Sequence, residues 1–244
     1  MDKDATKQGM KDEFYKFSSH PIYKERYEII KNANNYEIRF DENINSRFNF
    51  IRAKFFGYTE ENPNNIKEFL NEKYYNYAYS IILSKKGKLK KALFNLNKLI
   101  KNNKDNIHLI ETKADILYSH GFFSEALLFY NISIKKNPKN YYVKKRIFDI
   151  KFSMLDFYDK RESKALFHEY KFLLRIFINN EDLKKKLEVI ALKNNLNDWI
   201  NYFYIYENLN NNEYNKENLL NELKKIKKIT SDYELIRLIN KLIL

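Results

Sequence analysis

A segment of 34 residues occurs twice, head to tail, at 73–106 and 107–140. Gly87 recurs as Gly121, Ala92 as Ala126, Leu93 as Leu127, Ile82-Leu83 as Ile116-Leu117, and Asn106 as Asn140. Ten of the 34 aligned positions are identical, against about three expected by chance in so biased a composition. Each copy places a Gly between two amphipathic stretches and an Ala five residues later. A unit of this length cannot bury its apolar face alone, so copies must stack on one another. The period therefore predicts an all-α chain of helical hairpins.

The unit resembles the tetratricopeptide (TPR) hairpin, which implies a solenoid whose inner face binds other proteins. Helix A of the first copy is predicted from about Tyr74 to Lys85 and helix B from Leu89 to Lys101. In the second copy the pair is His108 to Ser119 and Phe122 to Lys136. Ala92 and Ala126 stand where helix B would cross helix A closely. Tyr130 and Pro138 match the aromatic and the terminating Pro of the TPR pattern, whereas the first copy has Leu96 and Lys104 there. Beyond Asn140 the period blurs. Tyr141 to Phe157 reads as a third helix A, and Glu162 to Ile178 as its partner with Ala165 in the small-residue role. Amphipathic stretches follow at 182–192, 198–209, 215–226 and 232–243, separated by short Asn-rich or Thr-Ser breaks. Upstream, Asp41 opens a helix with Ile44, Phe48, Ile51 and Phe55 along one face, ended by Gly57 as a residue of positive φ. Pro63 begins a short helix carrying Ile66, Phe69 and Leu70. The expected organisation is a short helical N-terminal segment at 1–40, linking helices at 41–72, and a TPR-like helical repeat domain at 73–244.

Composition narrows the chemistry. Only 4 Gly and 3 Pro argue against a turn-rich β protein, and the lack of Cys removes disulfides, thiolate metal sites and Cys nucleophiles. The formal charge of +13 raises a nucleic-acid reading. The basic residues, however, are spread over every helix, in short runs at helical spacing. They read as solvated faces, so nucleic acid is not the expected partner. No apolar stretch approaches the ~20 residues that span a bilayer, and Met1 to Lys16 holds no signal-like run. As written, the chain is expected to remain cytoplasmic.

Catalytic motifs are not found. His108, His120 and His168 stand in no His-Glu-x-x-His pair, and neither a phosphate loop nor a nucleophile elbow is present. Ser18-Ser19-His20-Pro21 with Arg26 stands apart. On local chemistry it reads as the cap of a Pro-initiated helix from Pro21 to Lys31. A Ser/Thr-His-Pro-x-x-x-x-Arg segment followed by TPR units also resembles the BepA-type zinc metallopeptidases, the beta-barrel assembly-enhancing proteases. Arg47, Ala53-Lys54 and Phe56-Gly57 resemble that family's linking helix. Tyr77-Ala78 through Gly87 and Ala92-Leu93 resemble its first repeat, and Gly121 to Pro138 its second. The similarity covers residues 18–244, and its catalytic half, with the His-Glu-x-x-His pair and the downstream Glu, has no counterpart here. By resemblance alone His20 would lie beside a metal. No cofactor is expected in this chain, although the intact relatives hold zinc. The resemblance also implies a periplasmic setting and outer-membrane protein assembly as the partner system.

In TPR units, positions 2, 5, 9 and 12 of helix A line the inner groove. Here they give Tyr74, Tyr77, Ile81 and Ser84, then His108, Glu111, Asp115 and Tyr118. A third unit adds Tyr142, Lys145, Asp149 and Phe152. Tyrosines among mixed charges suit peptide segments, although Tyr74 and Tyr77 could equally pack against the helix at 63–72. The Lys/Asn clamp that some TPR proteins use for a terminal carboxylate is not at these positions. The leading expectation is a non-catalytic protein-interaction module. The alternatives are a subunit completing a zinc endopeptidase with a separate half, and a basic nucleic-acid-binding repeat.

Overall fold

The structure, a computed structural model, describes residues 42–156, 159–209, 211 and 213–243, with Asn43 in its backbone only. Two compact units divide it, Met1–Phe50 and Ile51–Leu244. Of the first, the described part is Glu42–Phe50, the opening half of helix α1 (Glu42–Thr59). The expected N-terminal segment at 1–40, with His20, lies outside the described residues.

Helix α1 departs from expectation in two ways. Ile44, Phe48, Ile51 and Phe55 are exposed, whereas the buried positions are Phe50, Ala53 and Gly57. Gly57 does not end the helix either, which runs on to Thr59. A Cβ at Gly57 would stand 2.8 Å from Ile81 Cβ and 3.0 Å from the Ala78 carbonyl oxygen. The glycine lets two helices approach closely, so its role is packing and not termination. After a 3-10 turn at Pro63–Ile66, capped by Asn62, the chain enters the repeats.

The second unit is built of hairpins stacked in chain order. Helices α2 (Glu72–Lys85) and α3 (Leu89–Asn102) form the first, α4 (Ile107–Ser119) and α5 (Phe123–Lys136) the second. Helices α6 (Tyr141–Ser153) and α7 (Lys160–Tyr170) form the third, followed by the single-turn α8 (Leu173–Ile176). The fourth is α9 (Glu181–Lys193) with α10 (Asn197–Asn208), the fifth α11 (Lys216–Ile229) with α12 (Tyr233–Ile243). From α2 to α7 and from α9 to α12 each helix packs on the next in sequence; α2 packs on α4 and α7 on α9 besides, and the short α8 packs on α6. Every described element is a helix, and no strand occurs among the described residues.

Two local devices repeat and explain why the hairpins resemble one another. The first helix of each pair begins at an Asn whose side chain accepts from a backbone N–H one turn on: Asn71, Asn106, Asn140, Asn180 and Asn215. At the end of α2, α4 and α9 a residue of positive φ reverses the chain: Gly87 at 72°, Gly121 at 81° and Asn195 at 53°. In each case the next N–H reaches back to a carbonyl five residues earlier, as in Lys88 to Leu83, Phe122 to Leu117 and Leu196 to Ala191. This is the Schellman arrangement, and Asn195 supplies in the fourth hairpin what glycine supplies in the first two.

The third hairpin corrects the sequence reading. Helix α6 stops at Ser153 and not at Phe157, which lies outside the described residues, and the stretch 162–178 breaks at Lys171–Phe172. Ala165 is exposed; the residue packed at the crossing is Ser163, buried like Ala92 and Ala126 and fourth in its helix as they are. Its hydroxyl is satisfied by Asn194, whose Nδ2 donates to it at 3.0 Å. A single core continues from Ala114 to Ile239. No described helix is long and apolar enough to cross a membrane.

Candidate functional site

A hollow of about 490 Å³ opens among the first helices of the first three hairpins. Tyr58 at the end of α1, Ile81, Ser84 and Lys85 of α2, Asp115, Ile116 and Tyr118 of α4, and Tyr142 and Arg146 of α6 line it. Ser119 closes α4 at the wall, and the turns after α2 and α4 add Gly87 and His120. No residue of α3 or α5 contributes, because those helices pack behind the wall.

The hollow is organised around Asp115, a carboxylate only 8% exposed. The buried Tyr130 donates to its Oδ1 at 2.7 Å and Tyr142 to the same oxygen at 3.1 Å. Lys54 approaches Oδ2 at 3.3 Å. A carboxylate withdrawn from water needs this set of donors, and with them it ties α1, α5 and α6 to α4. Burial, and then the charge of Asp115, raise the Tyr130 phenol far above its ordinary pKa. The same causes push Tyr142 up to about 12, its nearby Arg146 opposing them. The Tyr142 side chain as a whole is open, at 41% exposure; it is the enclosed hydroxyl end that burial affects. Both phenols stay protonated, as donors to Asp115 must.

Arg146 forms the polar mouth. Its guanidinium lies 4.7 Å from the Tyr118 ring centroid and 5.1 Å from that of Tyr142, sandwiched between the two rings. Nε donates to the Tyr142 hydroxyl at 3.1 Å. No described residue accepts a hydrogen bond from its Nη atoms. Across the hollow, His120 Nε2 stands 3.1 Å from Ser84 Oγ and 3.2 Å from the Ser84 carbonyl. Lys85 donates to the Tyr58 and Glu60 carbonyls at 2.6 and 3.1 Å, leaving its charge without a carboxylate.

The expected groove residues divide. Asp115, Tyr118 and Tyr142 line the hollow, as do Ser84 and Ile81, although Ile81 has almost no surface of its own. Tyr77 is fully buried, and its hydroxyl bonds Thr112 at 2.6 Å and the His108 carbonyl at 3.2 Å. It joins α2 to α4. Tyr74 is buried with the Lys73 ammonium 5.6 Å from its ring. Glu111 accepts from Ser133 at 2.9 Å and from Asn140 at 2.6 Å, and so braces α4 against α5 and the start of α6. His108 is half-buried. Lys145 pairs with Asp149 at 2.8 Å, and Lys186 of α9 meets the same carboxylate at 2.8 Å. Asp149 is thus the third-hairpin counterpart of Asp115, buried and paired across to a neighbouring helix. Phe152 lies beside that network, 5.9 Å from the Lys186 ammonium.

Lys54, Tyr58, Lys85, His120 and Arg146 were not expected. The positional rule looks only at helix A faces and misses the incoming α1 and the turns. The i,i+4 spacing of Tyr142 and Arg146 was the one available signal for the stacked guanidinium. Among the described residues no three His, Asp or Glu stand close enough to hold a metal ion. Comparison with family models, curated proteins and solved structures returns no match to this chain.

Proposed function

We propose that this chain is a non-catalytic protein-interaction module of the tetratricopeptide type, receiving peptide segments in the hollow of its first three hairpins. The observation that supports this is the provenance of the wall. First helices α2, α4 and α6 supply most of it, the second helices none, as stacked TPR units present their concave face. Aromatic rings and a guanidinium with open donors around a polar floor are the groups that anchor peptides at interfaces. The buried carboxylates hold the wall, since their oxygens are already taken by Tyr130, Tyr142, Ser133 and Asn140.

On the strength of the His-Pro segment and the order of the repeats, we further place the chain beside the C-terminal region of BepA-type peptidases. On that reading it works in the periplasm with outer-membrane proteins or their assembly machinery. Selection of a random dodecapeptide library on the purified chain tests the peptide-binding proposal. Enriched peptides should bind the wild type and lose about tenfold or more in affinity with Tyr142→Ala, in which the ring beside Arg146 is removed. Enriched peptides indifferent to Tyr142→Ala, in a variant that keeps its helical circular dichroism, would refute the assignment to this hollow.

A further inference from the structure

The first hairpin is electrostatically unlike the second. Residues 73–104 hold nine lysines and no Asp or Glu, whereas the equivalent span 107–138 holds three lysines and three carboxylates. A genome-wide bias toward lysine would act on both copies, so it does not account for the difference. Five of the nine lie within seven residues: Lys85, Lys86, Lys88, Lys90 and Lys91. All five are exposed, grouped about the positive-φ turn at Gly87 and the first turn of α3. None of them has an ion pair with a described carboxylate, although nine other basic residues of the unit do. Like charges this close repel one another in the folded chain, and an anionic partner removes that repulsion.

The position of the cluster decides what the partner is. Lys85 and Gly87 are themselves part of the hollow's wall, as is Arg146. The lysine turn is therefore the rim of the same opening. We propose that the hollow takes acidic peptide segments. The lysine turn draws them in, and the open Nη donors of Arg146 receive an aspartate or glutamate carboxylate in the two-pronged geometry guanidinium favours. This rests on the peptide-binding reading above and names the ligand class of that site. A peptide fits better than a nucleic acid because the turn that carries the lysines borders a hollow of about 490 Å³, to whose wall Lys85 and Arg146 both contribute. Of the rings in the wall, Tyr118 and Tyr142 already lie against Arg146, which leaves Tyr58 alone, short of the run of aromatic platforms on which successive bases stack.

The test uses three fluorescein-labelled probes: a peptide of about twelve residues alternating glutamate with leucine and tyrosine, its glutamine twin, and an oligothymidylate of similar length. Anisotropy titrations should give about tenfold tighter binding of the acidic peptide than of its twin at low salt. The margin should narrow as salt rises from about 50 to 200 mM, since the rim charges are solvent-exposed. The triple variant Lys86→Glu/Lys88→Glu/Lys91→Glu alters only exposed side chains and should keep the wild-type circular dichroism. It should lose about tenfold for the acidic peptide while holding the glutamine twin within twofold. Equal binding of the two peptides would overturn the acidic preference and leave the peptide-binding reading standing. Binding of neither peptide would sink that reading as well. An oligothymidylate bound more tightly than either peptide, with a steep salt dependence, would assign the lysines to nucleic acid instead.

Discussion

Asp232 is the residue whose removal most directly tests how the last hairpins are joined. Its Oδ1 accepts from the backbone N–H groups of Glu234 and Leu235 at 3.1 and 3.3 Å, capping α12. Oδ2 accepts from Trp199 Nε1 at 3.0 Å and pairs with Lys171. One carboxylate so ties α12 to α10 and to the end of α7. Asp232→Ala removes the cap, worth about 1 kcal/mol. It also strands the indole N–H of a residue only 3% exposed, at about 1–3 kcal/mol. With the orphaned Lys171 charge the loss comes to about 2–4 kcal/mol. At about 2–4 °C per kcal/mol for a unit of this size, the melting temperature should fall by about 4–16 °C. Trp199 is the only tryptophan in the chain, so its fluorescence during urea unfolding reports this junction directly. In a stacked array the end can open by itself, so that signal should move before the far-ultraviolet circular dichroism does. Acid gives a second reading. Burial opposes ionisation of Asp232, but the hydrogen bonds from Lys171 and Trp199 outweigh it and hold the carboxyl below its usual pKa. A folded pKa below the unfolded one means the stabilisation is complete above about pH 4–5 and is lost as pH falls through the folded value. Asp232→Asn keeps one oxygen, enough to accept for the cap, but sets an NH2 donor against the Trp199 indole N–H and Lys171, and should cost about 1–3 kcal/mol at neutral pH. Its deficit against wild type should close toward pH 3. A wild-type midpoint for Asp232→Ala, or an Asp232→Asn deficit unchanged down to pH 3, would refute this account.

Two further substitution pairs test the repeat itself. Ala92→Phe and Ala126→Phe insert a ring where neither alanine has any exposed surface. Each should cost about 1–3 kcal/mol or more by overpacking, and wild-type melting of either would contradict the repeat register. Gly57→Ala places a methyl 2.8 Å from the Ile81 Cβ and should cost about 1–3 kcal/mol. Gly87→Ala meets nothing within 4 Å and should cost only the strain of a positive φ, about 1 kcal/mol; chemical denaturation that reverses this order would count against the close approach of α1 and α2.

The legible part of the fold was the part encoded by local chemistry. The repeated Gly, Ala and Asn of 73–140 predicted α2 to α5 to within two residues, because a positive φ, a close crossing and a cap each demand a small set of residue types. The later hairpins keep the same geometry with substitutes. Asn195 takes the left-handed turn, Ser163 the crossing, and Asn180 and Asn215 the caps. The helices of the fourth and fifth hairpins were read from amphipathic spacing, and the Asn that caps α9 and α11 is the local signal they share with the earlier pairs. Helix α1 was misread because its most apolar face is the exposed one, so periodicity pointed outward. Only the closeness of Gly57 to Ile81 reveals which side packs.

The hollow was legible only where a residue's position in the repeat also fixes its surroundings. Asp115 and Tyr142 were identified from register, and they meet, because positions in consecutive repeats face one another by construction. The register could not say that Tyr77 is consumed by Thr112, since that depends on how closely α2 and α4 approach. Nor could it bring in Lys54, which arrives from a helix outside the repeats to neutralise Asp115. The two buried aspartates make the general point. Asp115 and Asp149 occupy the same position in successive hairpins, and each is paired with a lysine from a different helix: Lys54 before the repeats and Lys186 after the third. A charge on the inner face of a hairpin stack is therefore a bolt to the neighbouring layer unless its partner is missing. By that criterion the turn lysines, which have no carboxylate partner among the described residues, and the Nη atoms of Arg146 are open to something outside the chain.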